Sequence, residues 1–231
     1  MKKIILNHKS YLNFDEIVKY KEKLENFKCD KYDLILFPNV LYLSLFNKSS
    51  LNIGCSNFYS FTYASVTGEI NLRSLKFMGI NYTLIAHPER RKVGESIYLT
   101  REKLEKSLLG KMNTILCVGE TSKKENANKI ILKQLKFLLS ETNKDNIGYL
   151  SIAYEPTYLV ESNDALQIDE LDKTIKYIKK YIKKVYSYDI EVYYGGGVTF
   201  NNYKEILNVT DGVLFGKISL DIDDLIESIE G

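Results

Sequence analysis

Several features are scarce in this chain, and each scarcity excludes a class of protein. The three cysteines, Cys29, Cys55 and Cys117, are odd in number, far apart and without metal-type spacing. They argue against a disulfide framework or a zinc site and favour a reducing compartment. No apolar run is long enough to span a bilayer, and the start of the chain turns polar too soon for a signal peptide. We therefore expect a cytoplasmic protein with no membrane partner.

An excess of charge of one sign is lacking as well. Lys and Arg total 32 and Asp and Glu total 30, so the formal net charge is +2. Nucleic-acid-binding proteins usually carry a strongly basic face, so no nucleic-acid partner is expected. The lysines between positions 179 and 184 form the one basic run. They fall on the polar side of a predicted helix with Leu171, Ile175 and Ile178 on its apolar side, which indicates a solvated face.

What is present is an alternation of short apolar, β-branched runs with amphipathic stretches. With 45% hydrophobic residues the chain can bury a sizeable core. The apolar runs are continuous rather than alternating, as expected of strands covered on both faces. We predict strands at Lys3–Leu6, Asp33–Phe37, Asn52–Cys55, Tyr82–Ala86, Thr114–Val118, Ser151–Tyr154, Glu191–Tyr194 and Gly212–Phe215.

Helical patterns lie between these runs. Two sets of apolar residues each share one helix face, and Ser122-x-x-Glu125 is typical of a capping box that starts the second helix. The first set is Ile17, Tyr20, Leu24 and Phe27, and the second is Ile131, Leu135 and Leu138. About eight strand–helix repeats without a composition break predict a (β/α)₈ TIM barrel, with residues 1–231 as one domain. An open doubly wound sheet is the competitor, but it usually has an early glycine-rich turn that this chain lacks.

Candidate catalytic groups follow the predicted strands, where a barrel carries its active site. The first strand leads to Asn7 and Lys9, the fourth to His87 and the sixth to Glu155. A histidine followed by proline at a helix start can stay neutral, because a helix N-terminus disfavours the imidazolium. A partly buried carboxylate is weakly hydrated and therefore a better proton acceptor. Each residue alone could be structural, but their convergence on one rim predicts a proton-transfer site with Lys9, His87 and Glu155 as catalytic residues.

Glycines follow the last two strands. Gly195-Gly196-Gly197 comes after the seventh strand and Gly216-Lys217 after the eighth. This is the usual place for a phosphate site in a barrel, where backbone N–H groups bind an anion without side chains in the way. A simple turn is the alternative interpretation of the triple glycine.

These motifs, taken in order, resemble those of the triosephosphate isomerase family over the whole chain. Several short motifs in the right order and spacing are far more specific than any one of them. The segments that carry the resemblance are Asn7-x-Lys9, Thr67-Gly68-Glu69, His87-x-Glu89-Arg90-Arg91, Cys117-Val118-Gly119-Glu120, Ala153-Tyr154-Glu155-Pro156, Tyr194-Gly195-Gly196 and Gly216.

The resemblance implies a reaction and a role for each residue. Dihydroxyacetone phosphate and glyceraldehyde 3-phosphate would interconvert through an enediol(ate), without a metal or an organic cofactor. Glu155 would be the base, neutral His87 the electrophile, Lys9 the stabilising cation and Asn7 a substrate-positioning group. These roles are carried over from the family and not worked out from this sequence. The segment after Glu155 would be a mobile lid over the phosphate.

The resemblance also implies a homodimer. The Phe58–Glu69 loop is unusually aromatic, and a monomer would expose much of that apolar surface. In the family this loop inserts beside the active site of the neighbouring subunit. Thr67 would then reach Asn7 and Lys9 of the second copy.

The chain departs from the family around the lid and the phosphate. Glu161 stands at the position of the phosphate-facing lid glycine and Tyr158 at that of the lid tryptophan. Pro88 replaces the serine after the histidine, Gly197 the serine after the double glycine, and Lys217 the second glycine of the last pair. The implied phosphate-binding residues are therefore Glu161, Gly197, Gly216 and Lys217. We expect Lys217 to offset the charge of Glu161, by pairing with it or by contacting the phosphate.

Two other functions remain possible from the sequence. A different sugar-phosphate isomerase would explain the glycines after the last two strands, but not the motifs of strands one and four. A divergent, non-catalytic paralogue that binds a phosphate ligand would explain the changes at Glu161, Gly197 and Lys217. The retention of Lys9, His87 and Glu155 argues against that second alternative.

Overall fold

A computed structural model of the chain describes residues 1–59, 66–160 and 162–231. Within them, eight parallel strands form a closed barrel in the order β1 to β8, and β1 pairs with both β2 and β8. Helices lie between the strands, so the predicted TIM-barrel fold is confirmed. Residues 60–65 of the Phe58–Glu69 loop and the candidate residue Glu161 lie outside the described residues.

The strands occur where the apolar runs predict them, with each boundary within one residue of the prediction. One cluster of buried apolar side chains includes residues from all eight of these strands and from the helices packed around them. The strands are β1 Lys2–Asn7, β2 Tyr32–Phe37, β3 Asn52–Cys55, β4 Tyr82–Ile85, β5 Asn113–Val118, β6 Leu150–Tyr154, β7 Val192–Tyr194 and β8 Gly212–Phe215.

The helices of the described chain surround the barrel. They are α1 Phe14–Asn26, α2 Leu72–Phe77, α3 Pro88–Lys92, α4 Ile97–Leu109, α5 Ala127–Leu138, α6 Ile168–Tyr186, α7 Tyr203–Val209 and α8 Ile222–Glu230. Short 3₁₀ helices span Val40–Phe46, Lys144–Tyr149, Thr157–Leu159 and Lys217–Ser219. None of the helices in the described ranges is both long enough and apolar enough to cross a membrane.

The predicted capping box at Ser122 and Glu125 does not start α5, so that prediction was wrong. The Ser122 N–H does donate to Glu125 Oε2 at 3.0 Å, but this contact closes a separate turn before the helix. The N-cap is Asn126, whose side-chain oxygen accepts from Lys129 N at 2.9 Å. Asparagine is among the best N-cap residues, so the helix begins one residue after that turn.

The basic run of α6 lies on the outer surface, as predicted. Leu171, Ile175 and Ile178 are buried on the inner side of the helix. Lys179 pairs with Asp211 at 2.6 Å and Lys183 with Asp189 at 2.5 Å. These partly exposed pairs contribute little to stability, and the face is an ordinary solvated one.

His8 is a buried titratable group directly after β1. Its side chain is 1% exposed and its ring packs edge-on against Tyr20, with centroids 4.4 Å apart. Neither ring nitrogen, nor the Tyr20 hydroxyl, has a hydrogen-bond partner in the described part of the chain. Burial lowers the pKa of His8 to about 4. His8 is therefore neutral in the folded protein at neutral pH.

This buried histidine should make the fold sensitive to mild acid. As the pH falls from about 6.5 towards 4, the unfolded chain binds a proton at His8 that the native state does not, so stability is lost. Between pH 8 and pH 5 we expect His8 to account for a loss of about 2 kcal/mol in the free energy of unfolding. The His8→Phe variant should lose that much less over the same interval, measured by urea unfolding at one fixed protein concentration. Equal losses in the two proteins would contradict this account of His8.

Candidate active site

The closed barrel brings the predicted catalytic residues together at the carboxyl ends of the strands. Asn7 ends β1, His87 follows β4 and Glu155 follows β6. A cavity of about 320 Å³ opens at this end of the barrel. Its lining comprises Lys9, Tyr11, His87, Glu155, Val160, Ser162, Asn163, Gly195, Gly196, Gly197, Val198, Leu214, Gly216, Lys217 and Ile218. Charged, polar and backbone groups from five different strand ends therefore face one space.

Lys9 reaches this cavity because the chain bends sharply after β1. Its φ angle is 51°, a left-handed conformation that costs free energy for a residue with a side chain. Asn7 supports the bend, since its side-chain oxygen accepts from Lys9 N at 3.2 Å. The Lys9 ammonium group forms an ion pair with Glu89, which holds it at the cavity. The strand end thus aims one cation into the site.

His87 is held in an orientation that also indicates its tautomer. It is the N-cap of α3, as predicted from the proline that follows it, and its Nδ1 accepts from Glu89 N at 3.3 Å. A nitrogen that accepts an N–H carries no proton, so we assign the proton of the neutral ring to Nε2. Nε2 lies 3.5 Å from Glu155 Oε2 and 3.5 Å from Asn7 Nδ2. The imidazole N–H therefore points into the cavity.

Glu155 is a buried carboxylate with unused acceptor capacity. It is 1% exposed, and its Oε1 has no hydrogen-bond partner within the described ranges. The Cys117 thiol lies beside it, and burial together with the charge of Glu155 raises the pKa of this thiol, so it stays protonated. A carboxylate with little hydration and a free oxygen is well suited to accept a proton.

Predicted phosphate-binding groups also line this cavity, among them Gly197, Gly216 and Lys217. Gly196, Gly197 and Gly216 have backbone N–H groups that donate to no protein acceptor in the described chain. A Cβ atom on Gly216 would meet nothing within 4 Å, so the space in front of it is open. Lys217 is exposed at the cavity edge, and no carboxylate of the described residues pairs with it. Glu161 lies outside the described residues, so its place in the site stays a prediction.

Two contacts near the cavity could not be predicted from the sequence. Glu89 belongs to the histidine motif, but nothing in the sequence indicates that it pairs with Lys9, 80 positions away. The Tyr194 hydroxyl accepts from Leu166 N at 3.1 Å and ties the chain that follows Glu155 to the end of β7. The two contacts join residues 80 and 28 positions apart, which only the fold brings together.

The cavity combines a carboxylate that can accept a proton, an imidazole N–H donor, two ammonium groups and free backbone N–H groups. Such a set can move a proton between neighbouring carbon atoms, stabilise charge on an oxygen and bind an anion. No cluster of three His, Cys, Asp or Glu side chains suited to a metal ion occurs in the described ranges.

Comparison with known proteins gives a consistent result. A family model described as triosephosphate isomerase matches residues 2–231. The curated triosephosphate isomerase of Wigglesworthia glossinidia brevipalpis is 34% identical over 226 residues, covering 91% of this chain and 86% of its own length. The triosephosphate isomerase of Mycoplasmoides gallisepticum is 32% identical over 248 residues, covering 100% of this chain and 98% of its own length. That of Campylobacter jejuni is 30% identical over 224 residues, covering 95% of this chain and 94% of its own length. The chain belongs to the triosephosphate isomerase family of enzymes.

Proposed function

We propose that residues 1–231 form one catalytic domain that interconverts dihydroxyacetone phosphate and glyceraldehyde 3-phosphate. The observation that carries this proposal is the pairing of a buried Glu155 carboxylate with the His87 ring, 3.5 Å away, at a cavity with free backbone N–H groups. The three cysteines are free thiols, which supports the cytoplasm as its compartment.

Glu155 is the base in the proposed reaction. It removes a proton from the carbon beside the carbonyl of dihydroxyacetone phosphate and returns a proton to the neighbouring carbon. The electron pair of the broken C–H bond moves into the enediolate, so only protons are exchanged and no metal or organic cofactor takes part. His87 donates its Nε2 proton towards the carbonyl oxygen, and proton transfer between the two oxygens completes the isomerisation.

Lys9 stabilises the negative charge that develops on the substrate oxygen. Its pairing with Glu89 fixes the ammonium group before the substrate arrives, so little reorganisation accompanies the reaction. Asn7 Nδ2 lies 3.5 Å from His87 Nε2, and Asn7 Oδ1 supports the bend at Lys9. This placement between the two residues fits a role for Asn7 in positioning the substrate. The reaction therefore takes place in a preorganised electrostatic environment.

The phosphate group of the substrate would bind at the glycine-rich wall. The free N–H groups of Gly197 and Gly216 are suitable donors to a phosphate oxygen, and Lys217 adds a positive charge beside them. This arrangement favours direct contact of Lys217 with the phosphate, the second of the two roles predicted for it. Glu161 remains a predicted neighbour of the phosphate.

The base assignment is tested by Glu155→Asp and Glu155→Gln in a coupled assay of glyceraldehyde 3-phosphate isomerisation. Shortening the side chain withdraws the carboxylate by about 1 Å, so we expect kcat to fall about 10²-fold in the Asp variant. The Gln variant, which has no proton acceptor, should lose about 10²–10⁴-fold. In D₂O the wild-type product should carry one deuterium on the carbon that received the proton.

Circular dichroism and thermal unfolding serve as controls that both variants fold. A folded wild-type protein without turnover would contradict the isomerase proposal. It would favour instead a non-catalytic protein that binds a phosphorylated ligand.

The role of Lys217 is tested by Lys217→Met, which keeps the length of the side chain and removes its charge. Because Lys217 is exposed, we expect a modest effect, a rise of about fivefold in KM for glyceraldehyde 3-phosphate with little change in kcat. With glyceraldehyde, which has no phosphate, the variant and the wild type should behave alike. Lys124→Met, at an exposed lysine in the turn before α5, is the matched control. An unchanged KM in the Lys217 variant would rule out contact with the phosphate.

We also propose that the protein is a homodimer. A second cavity of about 340 Å³ lies beside the first and is lined by Asn7, Lys9 and His87 among other residues. Exposed apolar side chains occur at these cavities and close to them in sequence: Tyr11 lines the first cavity, and Val40 and Val93 line the second. Together with the exposed side chains of Phe14 and Leu41, they are called the rim patch. An apolar patch at the edge of an active site is typical of an interface. The Thr67 loop of a second copy is the expected occupant.

The dimer is tested by light scattering at micromolar concentration, where we expect twice the chain mass of 26.7 kDa. Leu41→Asp places a charge in the rim patch and should shift the mass towards one chain. Leu109→Asp changes an equally apolar, exposed side chain at the end of α4 and should leave the dimer intact. A wild-type mass of one chain would contradict the proposal.

A further inference from the structure

The three glycines after β7 pack against the chain that follows Glu155. A Cβ atom on Gly195 would lie 3.0 Å from Cγ of Glu155, and one on Gly196 would lie 3.3 Å from Cβ of Leu159. A Cβ atom on Gly197 would lie only 2.0 Å from the carbonyl oxygen of Asp164, well inside van der Waals contact. Besides facing the cavity, this turn therefore forms a surface on which the segment after Glu155 rests.

Gly197 is the most constrained of the three, because the atom it faces belongs to the backbone. Its φ angle is 61°, in the left-handed region that favours glycine. Its own carbonyl oxygen accepts from Asn202 Nδ2 at 2.9 Å, and Asn202 Oδ1 accepts from Thr199 N at 2.8 Å. These hydrogen bonds fix the turn that contains Gly197, so it cannot easily move away from Asp164.

The opposing segment is fixed as well. Leu166 N donates to the Tyr194 hydroxyl, and Asp164 N donates to Ser162 Oγ at 2.9 Å. Ser162 and Asn163 line the active-site cavity directly before Asp164. A shift of the Asp164 backbone would therefore displace part of the wall that encloses the substrate.

We propose that Gly197 is a positioning residue, which sets the cavity wall by direct contact of its backbone with that of Asp164. This inference rests on the proposed isomerase function. A serine is usual at this position in the family, so one would expect a serine to be tolerated here as well. In this chain a serine side chain does not fit, so introducing the residue usual in the family should impair the site.

The test uses Gly197→Ala and Gly197→Ser, with Gly79→Ala as the matched control. Gly79 also has a positive φ, 78°, but its Cβ would make only ordinary contact, 3.7 Å from Lys48, in the turn after α2. Gly79→Ala therefore reports the cost of backbone strain without a clash at the active site. We expect kcat/KM to fall about 10²-fold in both Gly197 variants and less than twofold in the control.

Two further measurements separate positioning from a general loss of structure. A displaced wall would let the enediolate lose phosphate by C–O cleavage, so inorganic phosphate released per turnover should rise in the Gly197 variants alone. Amide hydrogen exchange of residues 162–166 should be at least tenfold faster in those variants and unchanged in the control. Exchange does not require activity, so it tests the contact even if the isomerase proposal fails. A Gly197→Ser protein as active as the wild type, or with unchanged exchange at residues 162–166, would overturn the inference.

Discussion

The geometry of the site depends on how closely the backbone of the neighbouring strand ends can approach Glu155. A Cβ atom on Gly119 would lie 2.1 Å from the carbonyl oxygen of Glu155, and one on Gly195 would lie 3.0 Å from its Cγ. The ends of β5 and β7 therefore close around the end of β6 only because both positions lack side chains. This contact buries the carboxylate and directs Oε2 to within 3.5 Å of His87. The approach of Glu155 to His87 follows from the packing of three neighbouring strands.

The charges of the site are arranged to suit a neutral histidine and an anionic substrate. The backbone N–H of Glu89 donates to Nδ1 of His87, while the carboxylate of the same residue forms an ion pair with Lys9. One residue thus fixes the tautomer of His87 and the position of the Lys9 ammonium group. Two ammonium groups line the main cavity, and within the described chain only that of Lys9 has a carboxylate partner. The other, on Lys217, stays available to an anion that binds at the glycines.

Much of the fold and part of the site could be predicted from sequence. Continuous apolar runs located all eight strands, because strands covered on both faces admit few polar residues. Since parallel strands of a barrel end at one rim, the residues after them, Asn7, His87 and Glu155, could be grouped before any geometry was known. The predicted start of α5 was wrong because the Ser122-x-x-Glu125 pattern can stabilise an isolated turn as well as the first turn of a helix. The pairing of Lys9 with Glu89 left no signal, since a spacing of 80 residues has no periodicity to detect.

The positions at which this chain departs from the family share one physical explanation. Apart from Pro88, which begins α3 directly after His87, they fall on the phosphate wall and the segment after Glu155, and leave Asn7, Lys9, His87 and Glu155 unchanged. The proton-transfer groups must hold their positions to within a fraction of an ångström, because a misplaced base loses most of its rate. Anion binding is less demanding, since any N–H group or cation of suitable reach stabilises a phosphate. A serine can therefore be replaced by Gly197 and a glycine by Lys217, while the residues of the proposed proton-transfer site beside them are retained.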